Sequence, residues 1–481
     1  MTHPLSQRIE DVFDLDPDAP GMQFDGDWFT WGQLATLARH VGAVAGTGRV
    51  GIMLRNEPAH VAALLGVLAT GGTAVVINPA RGDERTRADI AALQLPILIG
   101  LSADLATLAP QTPATVVTLR DLDTAPVVTE GSGTADPGRP GVAVWMLTSG
   151  TTGPPKRVDL TYDMLARSVI GNEPEKAAGP TELRRGVAIV NSPLVHIGGV
   201  FRVLLCIAEA RPFVLLRRFD LGQWARAVRD HRPRAVSLVP AALRMVLHSD
   251  LTRDDLAGVL AVTSGTAPLS ADDADAFTEK FGIPVLTSYA ATEFGGGVAG
   301  WTLADHRKHW HAKRGSVGRA NKGAQLRVVD EAGQPLAPDQ PGLLEVRPPQ
   351  LGPDSDWMRT TDLARIDADG FLWILGRADQ AIIRGGFKVL PDDVRAALES
   401  HPAVAGAAVV GAPDSRLGET PVALVELRTH AHTDPDELTA YLDTRLARYE
   451  IPTEIVIVDT IPRTPSGKPD LHAVRSHFAR V

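Results

Sequence analysis

The chain has 481 residues, 44% of them hydrophobic, and its 48 basic against 57 acidic side chains leave a formal net charge of −9. That length can bury a large core and exceeds one ordinary domain, so two domains are expected. A negative balance without a basic run argues against a nucleic-acid partner, and the single cysteine, Cys206, excludes an internal disulfide and a cysteine-rich zinc site, pointing to a reducing cytoplasm.

The first ten residues lack the apolar core of a signal peptide. Thr30 and Gln33 have capping-box spacing and predict a helix over residues 30–44, followed by a strand over 50–54. The longest apolar region, residues 61–77, is interrupted by Thr70-Gly71-Gly72-Thr73. It predicts a buried helix, a tight turn and a strand, not a membrane span. Helix and strand signals continue to alternate, which predicts an α/β architecture. Residues 131–140, rich in Gly, Pro and Ser, predict a surface connection.

Residues 142–147 are short and β-branched enough to form a buried strand. Directly after them come Thr148, Ser149, Gly150, Thr151, Thr152, Gly153, Pro154, Pro155 and Lys156. Hydroxyls, backbone N–H groups freed by glycine, and one ammonium are the donors that a polyphosphate needs. A Walker loop requires Lys and Ser or Thr directly after its second glycine, and this segment fails that test. Taken alone, the loop also fits a mobile Ser/Thr/Gly linker.

After residue 376 the pattern is that of a small α+β unit. Pro391 with acids in the next two positions predicts a helix start, residues 404–410 and 422–427 predict strands, and Asp434 predicts a helix through about residue 447.

The 148–157 segment resembles the phosphate loop of the adenylate-forming superfamily of acyl-CoA synthetases, luciferases and peptide-synthetase adenylation domains. That pattern is T-S-G-T-T-G-x-P-K-G, and Arg157 stands at its last glycine. Further blocks follow in the family's order. Ser264-Gly265-Thr266-Ala267-Pro268 is similar to the adenine-pocket loop, and Ser288-Tyr289-Ala290-Ala291-Thr292-Glu293 to Y-G-x-T-E. Thr360-Thr361-Asp362 is similar to T-G-D, Gly376-Arg377-Ala378-Asp379 to the hinge, and Gly385-Gly386-Phe387-Lys388 to the loop after it. Arg463-Thr464-Pro465-Ser466-Gly467-Lys468 is similar to the closing R-T-x-x-G-K. The resemblance covers nearly the whole chain.

It implies a large N-terminal AMP-binding domain of stacked sheets with flanking helices, residues 1–377, and a mobile α+β lid, residues 378–481. It implies that residues 148–153 and Lys156 hold phosphate, that Gly265 to Pro268 and Ser288 to Ala290 hold adenine, and that Asp362 and Arg377 hold ribose or phosphate. Glu293 offers an oxygen ligand for Mg²⁺ and Thr292 a phosphate donor. Lys468 is implied to bridge the substrate carboxylate and the α-phosphate. Asp379 is implied to be the hinge, and Gly385 with Gly386 to pass the pantetheine arm of coenzyme A. His196 falls at the family's P-x-x-H element beside the acyl pocket. Each residue has an ordinary alternative, such as a capped turn for Asp362, pairing of Arg377 with Asp379, or core packing for Tyr289 and His196.

Residues 191–208 contain no Asp or Glu, whereas a site for an amino acid would need a carboxylate opposite the substrate ammonium. A hydrophobic, non-amino acid is therefore favoured, with fatty acid metabolism as the setting and Gly295-Gly296-Gly297 leaving room for a bulky acyl group. Ala290 and Thr361 depart from the family's glycines, and Leu343 from a common glutamate. The expected activity is ATP-dependent formation of an acyl-AMP and its transfer to coenzyme A. The alternatives are loading of a carrier protein, or nucleotide binding with one half-reaction lost. No transmembrane segment is expected, and a homodimer is compatible with the chain.

Overall fold

The computed structural model describes residues 2–132, 138–147, 156–385, 387–414, 416–464 and 467–479. Within these, short apolar runs separated by amphipathic helices form a parallel sheet in which strands and covering helices alternate. Its strand order is Val127–Thr129, Thr115–Leu119, Ile97–Leu101, Arg49–Met53, Thr73–Ile77, Val142–Leu147 and Arg157–Thr161, with antiparallel pairing at both edges. All five residues of Thr73–Ile77 are buried, as befits a central strand covered on both faces. The preceding helix, Pro58–Ala69, is buried almost throughout, and Trp31–Ala45 opens with the predicted capping box. There the Gln33 N–H donates to Thr30 Oγ1 at 3.2 Å and the Thr30 N–H to Gln33 Oε1 at 2.8 Å, satisfying two donors at the helix start. Residues 50–54 and 61–77 thus fold as their patterns predict.

A second sheet runs Ala235–Ser237, Ala261–Ser264, Val285–Ala291, Gly296–Gly300, Arg319–Ala320. A four-stranded sheet, Ala188–Val190, Phe213–Leu215, Pro20–Phe24, Asp27–Thr30, and an antiparallel one, Gln325–Val329, Gly342–Arg347, Met358–Ile366, Leu372–Arg377, complete the large N-terminal part.

From Ile382 onward the chain makes a smaller α+β unit. Its strand order is Phe387–Val389, Ile382–Arg384, Gly418–Leu427, Val404–Asp414, with Glu454–Val458 parallel to Gly418–Leu427. Its two apolar clusters, built around Val394, Leu398 and Val425 and around Val410 and Val474, draw on no side chain before Ile382. The contacts it makes with the larger part include charged ones, notably Arg244 with Glu399 at 2.9 Å. The strands predicted over 404–410 and 422–427 extend into one long antiparallel pair. The helix predicted through residue 447 stops at Asp443, where the Arg445 N–H turns back to the Leu442 carbonyl at 2.9 Å. Leu446 and Tyr449 then pack on the C-terminal core, which outweighs helix propensity. Among the described residues no helix is long and apolar enough to cross a membrane.

Candidate active site

Two neighbouring parallel strands carry two of the motif blocks to one place. Ala261–Ser264 and Val285–Ala291 pair in register, Ser264 opposite Thr287, so their following loops leave the sheet together. The fit is close: a Cβ on Gly265 would lie 2.8 Å from Ser288 Oγ. Thr266 holds φ +71°, a region that a β-branched side chain rarely enters. Ala267 and Pro268 complete the loop before the Ala271–Phe281 helix, and Ala290 is exposed at a register shift beside Tyr289. Replacing Thr266 with glycine is expected to stabilise the protein by about 1 kcal/mol through relief of this strain, read from denaturant midpoints.

Strands Met358–Ile366 and Leu372–Arg377 place Asp362 directly opposite Arg377. The Tyr289 hydroxyl donates to Asp362 Oδ2, and the Arg377 guanidinium donates to Thr361 Oγ1 at 2.7 Å and to both oxygens of Asp379 at 2.9 and 2.6 Å. Thr361, at a glycine position of the resembling pattern, therefore anchors Arg377. Burial, with the neighbouring Asp362 carboxylate, raises the Tyr289 phenol and keeps it a neutral donor; burial also raises Asp362, against the Tyr289 hydrogen bond.

Lys468 arrives from the C-terminal unit and is half-buried within electrostatic reach of Arg377, Glu293 and Asp362. Burial and Arg377 lower its ammonium below the usual lysine range, while Glu293 and Asp362 pull the other way. Glu293 is exposed on the short turn Thr292–Phe294, with Thr292 beside it. Four separated stretches thus meet: residues 289–293, 361–362, 377–379 and 468.

His196 joins from a fifth. It caps the Ile197–Ala208 helix, burial and then Lys468 lower its imidazole to about 4, and its buried Nε2 has no hydrogen-bond partner among the described residues. The segment before it is shaped by Asn56, a buried residue that sequence reading passed over because it belongs to no motif. The Asn56 amide donates to the carbonyls of Ser192 and Leu216, both at 3.0 Å, and Oδ1 accepts from the Leu194 N–H at 2.8 Å. Gly199 lets the helix start directly beneath this segment, since a Cβ there would lie 2.2 Å from the Pro193 carbonyl oxygen. Asn56→Ala should lose about 2 kcal/mol, because three buried backbone groups lose their partner. Urea unfolding checks it.

The phosphate-loop positions Thr148, Ser149, Gly150, Thr151, Thr152 and Gly153 lie outside the described residues, as does Gly386. What is described is the loop's frame: Leu147 and Arg157 are register partners in an antiparallel pair, with Lys156 exposed at its end. Arg157 points away into the protein. Its guanidinium meets Asp89 at 2.6 Å and the Val76 carbonyl at 3.0 Å, so the departure from glycine fastens the strand after the loop to its neighbours. Gly385 is exposed, its N–H donating to the Leu417 carbonyl at 2.7 Å.

One expectation is corrected. Gly295 and Gly296 do not leave room for an acyl group, because Cβ atoms there would lie 3.0 Å from Met164 and 2.6 Å from Ser168 Oγ. They are glycines because the Tyr162–Val169 helix packs onto them.

Among the described residues no group of three or more His, Cys, Asp or Glu side chains is placed to hold a metal ion. Mg²⁺ takes few protein ligands when phosphates supply the rest, and the lone exposed Glu293 beside the cluster suits that arrangement.

Comparison with known proteins gives the family. The AMP-binding enzyme family matches residues 9–353, and the AMP-binding enzyme C-terminal domain matches residues 393–468. The chain is 33% identical over 356 residues to the medium/long-chain-fatty-acid–CoA ligase FadD8 of Mycobacterium tuberculosis, covering 69% of this chain and 60% of that one. It is 30% identical over 493 residues to the sulfoacetate–CoA ligase of Cupriavidus necator, covering 94% and 92%. The chain spans only 60% to 61% of the length of several curated relatives it matches. Its fold superposes on ATP-bound MatB from Rhodopseudomonas palustris with a TM-score of 0.84 at 25% identity, over 99% of both chains. Two adjacent family domains, and a shared fold along nearly the whole length, place this chain in the AMP-binding enzyme family of adenylate-forming enzymes.

Proposed function

We propose that this protein activates a non-amino carboxylic acid with ATP, releasing pyrophosphate, and passes the acyl group from acyl-AMP to the thiol of coenzyme A. The observation that carries this reading is the half-buried Lys468 ammonium set among Glu293, Asp362 and Arg377. A carboxylate oxygen must attack the α-phosphorus while the bond to pyrophosphate breaks, so two anions approach one another. Preorganised cations in a partly desolvated cleft supply the needed neutralisation. Lys468 and Arg377 take that role, and Mg²⁺ held by Glu293 and the phosphates would add charge compensation when bound. Asp362 has Oδ2 engaged by Tyr289, which leaves Oδ1 to accept from the ribose hydroxyls. Thr266, Ala267 and Pro268 with Tyr289 frame the adenine, and the loop over residues 148–156 holds the terminal phosphates. His196, neutral at physiological pH, lines the approach of the acid.

In the second step a thiol attacks the acyl carbonyl, loses its proton, and AMP departs. We assign this step to a second pose of a lid comprising residues 378–481, turned about Asp379 so that Gly385 and Gly386 replace Lys468 at the centre. The separate apolar cores on either side of residue 381 support such a division. The relatives named above are ligases of medium/long-chain fatty acids and of sulfoacetate, so no one acid is carried over from them. A cytoplasmic setting suits the buried, unpaired thiol of Cys206.

The test is acid-dependent exchange of pyrophosphate into ATP with the purified protein, followed by addition of coenzyme A or a phosphopantetheinyl carrier protein. Exchange and acyl-CoA formation are expected. Transfer to the carrier alone would reassign the acceptor, and absence of exchange with every acid would leave a nucleotide-binding protein.

A further inference from the structure

The stretch of residues 191–208 lacks acids but is not uncharged: it contains Arg202, on the second turn of the Ile197–Ala208 helix. Arg202 is half-buried, and among the described residues its guanidinium makes one hydrogen bond, to Thr263 Oγ1 at 3.2 Å, and no ion pair. Thr263 lies one residue before Ser264 and the adenine-side loop, and its own hydroxyl donates to the Val236 carbonyl at 3.4 Å. Burial lowers the Arg202 guanidinium, and the opposing influence comes from Cys206, a thiol, with no carboxylate contributing. The nearest acid along the chain, Glu209, is held by Arg184 and Arg211. A guanidinium has five donors, and a desolvated one without a counter-ion is unfavourable unless a ligand completes it.

Its position relative to the reacting centre is defined. His196, which feels Lys468, caps the same helix six residues earlier, about 9 Å along the axis at the usual helical rise, and helix side chains lean back towards the N-terminus. Gly198 lies one turn before Arg202 on the same face and carries no side chain; a Cβ there would meet nothing nearer than Ser192 at 4.0 Å. The strip between His196 and Arg202 is therefore bare along the helix. Arg202 is absent from the charges acting on Lys468, whose partners are Arg377, Glu293 and Asp362. A group that meets Arg202 therefore lies away from the carboxylate that Lys468 would bridge, with the bare strip along the helix leading towards it.

We infer that Arg202 is a specificity residue that receives a second anionic group, a carboxylate or sulfonate, on the tail of the acid being activated. The inference rests on the ligase reading above and narrows it. The acid is a short-chain or single-ring diacid type, whose distal oxyanion forms charge-assisted hydrogen bonds with the Arg202 fork, not a long neutral chain.

The test compares succinic, glutaric, adipic and phthalic acids and para-sulfobenzoate with the monomethyl esters of the four diacids, by acid-dependent pyrophosphate exchange. For the best diacid, wild-type kcat/KM should exceed that of its ester by about 10²-fold, because the ester leaves the buried cation unpaired. Arg202→Met should abolish that preference through KM, with activity on the ester unchanged or improved, and Arg202→Lys should keep part of it. Retention of the ATP-induced rise in melting temperature shows that the variants are folded. Equal or better wild-type activity on the esters overturns the inference while leaving the ligase reading intact. So does an equal loss on both substrates in folded Arg202→Met. Should Arg202→Met not fold, the wild-type preference and Arg202→Lys still decide the matter. Exchange with none of these acids but with neutral monoacids also overturns it; exchange with no acid of any kind removes the ligase reading and this inference together.

Discussion

Replacing Lys468 with alanine is expected to lower acid-dependent pyrophosphate exchange by about 10²- to 10³-fold, the effect of deleting one preorganised charge-stabilising donor. The argument is geometric. Lys468 is a cation that the C-terminal unit delivers to Glu293, Asp362 and Arg377, while Asp392 of the same unit adds a negative charge near Asp362. Without it the carboxylate meets the α-phosphate with one cation fewer. A pH dependence follows from the same surroundings. Burial and Arg377 depress the Lys468 ammonium in the free protein, so its charge is lost at lower pH than for an exposed lysine. Bound ATP is polyanionic and pulls the equilibrium back towards the ammonium. The alkaline limb of kcat/KM, which reports the free enzyme, should therefore fall at lower pH than the limb of kcat, which reports the complex. Lys468→Arg should lose rate through altered geometry but lack that limb, since a guanidinium stays charged. Near wild-type exchange in Lys468→Ala would falsify the assignment.

Asp379→Pro should separate the two half-reactions, slowing thioester formation by about 10²-fold while pyrophosphate exchange changes only a few-fold. Proline fixes φ and removes an N–H, so it restricts rotation at this position. In the pose described here Lys468 already lies among Glu293, Asp362 and Arg377, and Gly385 is exposed. On the proposed two-pose reading, adenylation needs no turn of residues 378–481, whereas bringing the glycine loop inward does. The charged contact between Arg244 and Glu399 belongs to this pose as well, and Glu399 is shared with Arg395 at 2.7 Å. Contacts of this kind can be exchanged, unlike an interlocked apolar core. Because Asp379 also pairs with Arg377, Asp379→Asn is the necessary control: it weakens the pair and keeps backbone freedom. Equal loss of both half-reactions in the proline variant, but not in the asparagine one, would argue against a hinge at this position.

Much of this molecule was legible from short windows of chain. The capping box at Thr30, the apolar helix and strand across residues 61–77, and the strand before the phosphate loop depend on neighbours within a few positions, and each is found where its pattern put it. Boundaries set by packing were not. The helix after Asp434 is cut short by Leu446 and Tyr449 joining the C-terminal core, and Gly295 and Gly296 serve close packing against Met164 and Ser168, not an open pocket.

The sequence alone determined which residue types were available for the chemistry, and their order, because hydroxyl-rich segments, the acids Glu293 and Asp362 and the lysine at 468 carry their donors and charges wherever they fold. Only the tertiary structure decided which of them meet. It turned Arg157 away to Asp89, gave Thr361 to Arg377, and revealed Asn56 as the support beneath His196. It also left Arg202 without a carboxylate partner among the described residues. The physical reason is that the worth of a charge or donor depends on burial and on partners from distant segments, neither of which is written in any local stretch of chain.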